Sequence, residues 1–317
     1  MTEFDLIRRY FTRAAPNALL GVGDDAALLQ ASAGNVLAVS TDMLVSGTHF
    51  LPDADPYMLG HKTLAVNLSD MAAMGAIPRW ATLAIALPKA EETWLERFSA
   101  GFFALADQYG VELVGGDTTR GPLNLCVTIF GEVPEQQALR RSGAQVGDEI
   151  WVSGVLGDAA LALAHLKNHV VLSADELADC APALHQPQPR IALGLALRGI
   201  ASSAIDISDG LLGDLGHVLE ASQVGAEIDF ALLPISAVMG VYVNQSLGRQ
   251  CVLSGGDDYE LCFAAPVMRH AEILAISARL ALPLTRIGKV VAGRGCVVHD
   301  AAGNLIDVEA GGYDHFR

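Results

Sequence analysis

The chain has 317 residues, 51% of them hydrophobic and 18% charged, with a mean hydropathy of +0.36. That is enough apolar material for about two domains of roughly 150 residues each, and too much for a disordered chain. Thirty-six acidic residues against 20 basic ones leave a formal net charge of −16, which disfavours nucleic acid and anionic membranes as partners, since both recruit cationic surface.

The longest charge-free stretch, Phe230 to Gly248, is broken by Pro234, Gly240, Asn244, Gln245 and Ser246; it reads as loop and core rather than a membrane span. The start, Met-Thr-Glu-Phe-Asp, lacks the basic and apolar segments of a secretory signal, so a cytoplasmic protein is expected. Five scattered cysteines (Cys126, Cys180, Cys251, Cys262, Cys296) contain no CxxC pair and read as small buried thiols, neither a disulfide framework nor a zinc site.

In chain order, short runs rich in β-branched residues alternate with helical periodicity. Strands are expected at Val36–Val39, Thr82–Leu87, Val111–Val114 and Leu123–Val133, and helices at Thr63–Ala73 and Trp94–Tyr109. In the second of these helices Trp94, Phe98, Phe102, Leu105 and Tyr109 recur at spacings of three and four, giving one apolar face that would cover a sheet. A basic, polar stretch at Arg140–Ala144 precedes a new strand at Glu149–Ser153, which places a boundary near residue 143 and domains at 1–142 and 143–317. The second half repeats the alternation, with helices near Leu161–Leu166, Arg190–Leu197 and Leu211–Leu219. Strands are expected near Ser203–Ile207, Ala226–Phe230, Tyr259–Ala264, Arg286–Val291 and Cys296–His299. Two α/β domains are expected.

The aspartates fall where apolar runs stop: Gly23-Asp24-Asp25, Ser40-Thr41-Asp42, Ser69-Asp70, Gly115-Gly116-Asp117-Thr118-Thr119, Asp206-Ile207-Ser208-Asp209-Gly210 and Gly255-Gly256-Asp257-Asp258. Ligands of α/β folds sit beyond strand ends, so these carboxylates are candidates to converge. Two bare carboxylates 4 Å apart repel by about 4 kcal/mol at an effective dielectric near 20. Few basic residues accompany the motifs, Arg120 and Arg141 being nearest, so metal ions are the simplest counter-charge. Carboxylate and hydroxyl oxygens suit Mg²⁺, and Mg²⁺ implies phosphate. The neighbouring glycines would let backbone N–H groups approach a phosphate, and Ser208-Asp209-Gly210 opens an apolar helix whose N-terminus favours anions. For any single motif, Asp and Gly marking a plain turn is an alternative.

Other patterns are weaker. Gly21-x-Gly23-x-x-Ala26 matches a dinucleotide fingerprint, with Asp42 near the ribose-binding position, but Asp24 and Asp25 occupy the loop that would approach a pyrophosphate. There is no GxxxxGK[ST] segment and no GxSxG elbow. Asp53-Ala54-Asp55 departs from an EF-hand at Tyr57 and Met58, and His165 and His169 lack the glutamate of HExxH.

Taken together, Gly23–Ala26, Ser40–Asp42, Asn67-Leu68-Ser69-Asp70-Met71-Ala72-Ala73-Met74-Gly75, Gly115–Gly121, Asp206–Gly210, Tyr259-Glu260-Leu261 and the terminal Gly312–Phe316 resemble the thiamine-monophosphate kinase family. That family belongs to the superfamily of aminoimidazole ribonucleotide synthetase and selenophosphate synthetase. The resemblance implies an α/β (α+β) two-domain fold and a homodimer whose N-terminal domains share a β-barrel. It also implies ATP-dependent phosphorylation of thiamine monophosphate with several Mg²⁺ ions. It assigns Asp25, Ser40, Thr41, Asp42, Asp70, Asp117, Asp206 and Asp209 as metal ligands, and Gly116, Asp117, Arg141 and Ser208 to ATP. His49, Asp257 and Tyr313 would contact the thiamine phosphate. Asp257 stands where the family usually has glutamate in GGEDYEL, and Asp258 or a bridging water is an alternative for its contact. The acceptor is an ionised phosphate, so no acid–base residue is assigned. Rival readings are another enzyme of the superfamily such as aminoimidazole ribonucleotide synthetase, a noncatalytic cation-binding module and a dinucleotide-binding oxidoreductase. Selenophosphate synthetase would need a reactive cysteine near the N-terminus, and the first is Cys126.

Overall fold

The computed structural model describes residues 2–306, which divide into two compact units: residues up to 71 together with 76–136, and residues 72–75 together with 137 onward.

Unit 1 opens with the short helix α1 (Glu3–Leu6), then β1 (Asn35–Val45), α2 (Pro56–Ala73), β2 (Ile77–Leu87), α3 (Glu92–Tyr109), β3 (Glu112–Arg120) and β4 (Asn124–Pro134). The four strands form one sheet in the order β1-β4-β2-β3. β2 and β3 are parallel and joined through α3, whereas β4 runs antiparallel to both β1 and β2. A parallel pair needs a long crossover, and the 18-residue α3 supplies it. Phe98, Phe102 and Leu105 of α3 are buried as the spacing predicts, and Trp94 stacks on Phe98 with ring centroids 5.0 Å apart. The helix ends at Gly110 in the left-handed region, where glycine carries no Cβ penalty.

One face of this sheet is closed by core side chains, Leu83, Ile85, Leu125, Val127 and Ile129 all being buried. On the other face of β1, Leu37, Val39 and Met43 are 41%, 56% and 53% exposed. The register puts Val39 beside Phe130 and Met43 beside Cys126, so this face is an open apolar surface.

Unit 2 contains β5 (Glu149–Ser153), α4 (Asp158–Leu166), α5 (Ala174–His185), α6 (Ile191–Ala196), β6 (Ser203–Asp206), α7 (Leu211–Ser222) and β7 (Gly225–Asp229). These are followed by α8 (Ala237–Tyr242), α9 (Ser246–Ser254), β8 (Leu261–Ala265), α10 (His270–Leu280), β9 (Leu284–Val291) and β10 (Gly295–His299). The six strands order as β10-β7-β9-β5-β8-β6, antiparallel throughout except for the parallel β10–β7 pair. Ile150, Val152, Ile205, Ile207, Leu211, Leu215 and Val218 fill its core.

The expected mixture of helix and strand is present in both units, but periodicity alone did not find α5, α8, α9 or α10. α5 carries Pro182 inside it and is started by a Ser173–Glu176 capping box. The segment Phe230–Gly248, read as loop and core, holds a 3-10 turn, α8 and the start of α9. α4 stops at Leu166, so His169 lies beyond it, while His165 Nδ1 accepts the Leu172 N–H at 3.0 Å. No helix among the described residues is long and apolar enough to cross a membrane.

Candidate functional site

In unit 1 the acidic motifs are positioned by strand alternation. Successive side chains of β1 point to opposite faces, which separates Ser40 and Asp42 from Thr41. The Ser40 hydroxyl donates a very short hydrogen bond to the Asp70 carboxylate on α2, and the Asp42 N–H reaches Asn67 Oδ1 at 3.3 Å. Ser40, Asp42, Asn67 and Asp70 are therefore brought together on one side of the sheet. Thr41 faces the other side, where its hydroxyl pairs with that of Thr128 at 2.8 Å.

Asp117 lies elsewhere in the unit. It sits on β3, and β1 and β3 are the two outer strands of the sheet, three spacings or about 14 Å apart at ~4.8 Å per strand. It is exposed, in register with Ala84, and its carboxylate accepts the N–H of Thr118 at 2.9 Å. Gly116 before it has φ +150°, and a Cβ there would lie 1.9 Å from the Leu83 carbonyl oxygen, so only glycine permits this approach of β3 to β2.

Asp24 and Asp25 occupy the tip of a loop pinched by hydrogen bonds between Leu20 and Leu28, and both are exposed. No helix follows; the next regular element is β1. The strand–turn–helix that a dinucleotide fingerprint requires is absent at Gly21–Ala26, which removes the oxidoreductase reading of that segment. The far side of the loop is tied down by Glu132: Ser32 donates to it through its N–H (2.6 Å) and hydroxyl (3.1 Å), and Arg79 Nε at 3.1 Å. Burial alone would raise the Glu132 carboxyl; the Ser32 and Arg79 donors outweigh it and hold it below its ordinary value. His49 lies in the turn after β1, its Nδ1 accepting the Val45 N–H at 3.0 Å, which leaves the ring proton on Nε2.

In unit 2 the motifs meet at one end of the sheet. β6 and β8 are antiparallel neighbours, Asp206 opposite Leu261, so the segment leaving β6 runs beside the segment entering β8. Backbone bonds lace them beyond the strands: Ile207 N to Glu260 O, Tyr259 N to Ile207 O and Asp257 N to Ser208 O, each 2.8 Å. Asp206, Ser208, Asp209 and Asp257 are thereby held in neighbouring turns. Gly210, at φ +111°, lets the chain turn from β6 into α7, and a Cβ there would meet the Ser254 backbone at 2.6 Å.

Asp257 and Asp258 part company. Asp257 has φ +70° and its carboxylate accepts the Tyr259 hydroxyl at 3.1 Å. Asp258 is buried, taking the Gly157 N–H at the start of α4 at 2.9 Å; burial pushes its carboxyl well above the ordinary range. That engagement disqualifies Asp258 as a substitute for Asp257. Glu260 is also buried and paired, with Ser153 Oγ at 2.5 Å and Arg190 Nε at 2.6 Å.

Sequence reasoning missed Asp214. Only 3% exposed, it lies inside α7 and its Oδ2 accepts the N–H groups of both Ser208 and Asp209, each at 3.0 Å. Those two amides, which lead into the helix N-terminus expected to favour anions, thus already donate within the chain. Burial, followed by the charge of Asp209, pushes the Asp214 carboxyl up to about 7 against the pull of these amides and of Arg141. The only sequence signal is an acid one turn inside an apolar helix whose N-cap, Gly210, has no side chain to cap it. Arg141 is exposed, its carbonyl accepting the Ser222 hydroxyl at 3.2 Å, and its charge is felt at Asp214. Tyr313 lies outside the described residues.

Among the described residues no group of three or more His, Cys, Asp or Glu side chains is gathered as a metal cage. The side chains singled out from the sequence as metal ligands offer oxygen alone, in unit 1 the Ser40 hydroxyl and the carboxylates of Asp25, Asp42, Asp70 and Asp117, in unit 2 those of Asp206 and Asp209. Within each unit that chemistry suits a hard cation such as Mg²⁺.

The AIR synthase related protein family models match both halves, the N-terminal domain over residues 23–133 and the C-terminal domain over 145–301. The chain is 49% identical to the thiamine-monophosphate kinase of Escherichia coli K12 over 99% of its own length and 98% of that relative. It is 34% identical to that of Bacillus subtilis, covering all of both chains. The crystal structure of thiamine-monophosphate kinase from Stenotrophomonas maltophilia K279a superposes with a TM-score of 0.85 at 48% identity, covering 96% of each chain. The structure of AaThiL complexed with AMPPCP and TMP gives 0.78 at 30% identity, covering 99% of this chain and 96% of that one. Two unrelated-looking halves, one with hydroxyl and carboxylate oxygens on a sheet and the other with a glycine turn into a helix, thus belong to one recognised pair of domains, and the chain is a member of the thiamine-monophosphate kinase family.

Proposed function

We propose that this chain transfers the γ-phosphoryl group of ATP to thiamine monophosphate, giving thiamine diphosphate and ADP. The observation that carries this reading is the near-half identity to a thiamine-monophosphate kinase along the whole chain; an ATP analogue and TMP are held by the AaThiL relative of the same fold.

In unit 1, Asp25, Ser40, Asp42, Asp70 and Asp117 would hold Mg²⁺, Gly116 and Asp117 would face ATP, and His49 would donate from Nε2 to the acceptor phosphate. Thr41 supports this set from the reverse face through Thr128 and not as a side-chain ligand. In unit 2, Asp206 and Asp209 would hold Mg²⁺, Ser208 and Arg141 would bind ATP, and Asp257, steadied by Tyr259, would contact the acceptor together with Tyr313. When bound, Mg²⁺ neutralises charge between donor and acceptor oxygens.

The residues themselves have a limited task. The acceptor oxygen is already ionised, so attack in line on the γ-phosphorus requires orientation and no proton removal. Arg141 supplies a fixed cation where charge builds on the transferring group. The open apolar face of Leu37, Val39, Met43 and Phe130 supports a homodimer in which a second copy covers it, since large exposed apolar patches mark association surfaces.

A coupled ADP-release assay tests the reading. Thiamine monophosphate, thiamine and an aminoimidazole precursor are offered in turn, with and without excess chelator. ADP is expected only with thiamine monophosphate and only with free divalent metal; turnover with the aminoimidazole precursor instead would move the chain to the other branch of the superfamily.

A further inference from the structure

Resting on the proposed roles of Ser208 and Asp209, we infer that Asp214 is a positioning residue for the nucleotide: one carboxylate oxygen inside α7 gathers two consecutive backbone N–H groups and so fixes the turn that presents Ser208 and Asp209. Both bonds are 3.0 Å and converge on Oδ2. Two donors of adjacent residues sharing one acceptor leave the turn a single backbone course, because rotating either peptide away breaks its bond.

The surroundings make this hold necessary. Gly210, the N-cap of α7, offers no side-chain cap and has a backbone conformation open to many alternatives when unrestrained. On the far side, the Asp257 N–H bonds the Ser208 carbonyl at 2.8 Å, so the turn is clamped through its carbonyl from one side and through its amides from the other. With the amides spent on Asp214, recognition of a ligand by this turn passes to the Ser208 hydroxyl and the Asp209 carboxylate. Their aim is set by the backbone that Asp214 holds. An acceptor oxygen suffices for this task; a full negative charge is not required.

The distinction is testable with three variants. Asp214→Leu keeps the branched skeleton, with methyl groups bulkier than the oxygens they replace, and removes the acceptor; Asp214→Asn keeps a carbonyl oxygen able to take both N–H groups. The KM for Mg·ATP is expected to rise tenfold or more in Asp214→Leu, while kcat at saturating nucleotide stays within threefold. Asp214→Asn is expected to restore KM to within threefold of the wild-type chain. Amide hydrogen exchange supplies a readout that does not depend on turnover: Ser208 and Asp209 should exchange at least tenfold faster in Asp214→Leu than in the wild type and return to protection in Asp214→Asn. If Asp214→Leu does not fold, Asp214→Asn carries the test alone, and a tenfold loss of Mg·ATP affinity or of the two amides' protection in it overturns the inference. A folded Asp214→Leu chain with unchanged KM does so equally. Ser208→Ala separates the underlying reading: an unchanged KM there removes Ser208 from the nucleotide site, whatever Asp214 does.

Discussion

The acids of the two units look alike in sequence and are used in opposite ways. In unit 1, Asp24, Asp25 and Asp117 are exposed, and Asp24 and Asp117 accept the N–H of the very next residue. In unit 2, Asp214, Asp258 and Glu260 are buried, each taking donors from segments distant in sequence or a turn away. A carboxylate withdrawn from water is tolerated only with donors or a cation in place, so their protein donors commit Asp214, Asp258 and Glu260 to scaffolding, whereas an exposed acid is available to a cation. The difference teaches that acid-rich motifs must be sorted by the donors around each carboxylate before any is given a ligand role; burial alone does not sort them, since Asp206 is itself buried.

The sharpest way to break this division is at the buried pair. Arg190 forks onto Glu260 through Nε and Nη2, and Ser153 Oγ completes the carboxylate's shell. Removing one partner strands the other charge, so Arg190→Ala should cost about 3–5 kcal/mol of unfolding free energy, read as a fall in the urea midpoint. A loss under about 1 kcal/mol would show that Glu260 is not committed to the scaffold.

The acids given a ligand role, exposed Asp117 and half-buried Asp42, should behave in the reverse sense. Asp117→Ala or Asp42→Ala is expected to lower phosphoryl transfer a hundredfold or more, equivalent to about 2.7 kcal/mol of transition-state stabilisation, with the melting temperature unchanged or slightly raised because local repulsion falls. Near-normal turnover in either variant would contradict the ligand role. Parallel ADP-release and thermal-melt measurements decide it.

Sequence reading succeeded where a motif is local. The run Asp206–Leu219 announced strand, turn and helix through β-branched residues, a glycine and an apolar repeat, and the structure has β6, Gly210 and α7 there. It was blind where the deciding partner lies far along the chain. Ser40-Thr41-Asp42 read as one contiguous ligand set, yet a strand's period of two sends Thr41 to the face opposite Ser40 and Asp42, and only pairing with β4 reveals Thr128 as its neighbour. Asp117 read as converging with Asp42, yet strand order places them on opposite edges, and order is a property of the sheet that no local pattern carries. Asp257 and Asp258 read as a pair, and a positive φ at Asp257 turns them to different partners.

Glu132 crosses the division, being a buried scaffold acid within unit 1, and it gives the comparison a pH test. Its folded carboxyl is held below its ordinary value of 4.5 by Ser32 and Arg79 against the cost of burial. A depressed folded value means the unfolded chain takes up the proton first. The stabilisation is therefore complete above about pH 4.5 and is lost as pH falls through the lower folded value. Glu132→Gln should cost about 1–3 kcal/mol near neutrality, and the gap to the wild type should narrow as pH drops below about 4.5. Denaturant titrations at pH 7 and pH 3.5 measure both; a pH-independent gap would assign the effect to packing and leave the charge without a part.

The smallest expected effect discriminates most finely, because Ser40 and Thr41 are adjacent and chemically alike. Thr41→Val removes one hydroxyl from the reverse face and strands Thr128, which remains partly open to water, so the cost should be about 1 kcal/mol or less with turnover within about threefold. Ser40→Ala removes the hydroxyl that meets Asp70 on the ligand side and should raise the magnesium concentration needed for half-maximal rate by about tenfold, one lost oxygen contact being worth roughly 1.4 kcal/mol. If the two substitutions instead shift the magnesium requirement equally, alternation along β1 does not separate ligand from support, and Thr41 rejoins the metal set.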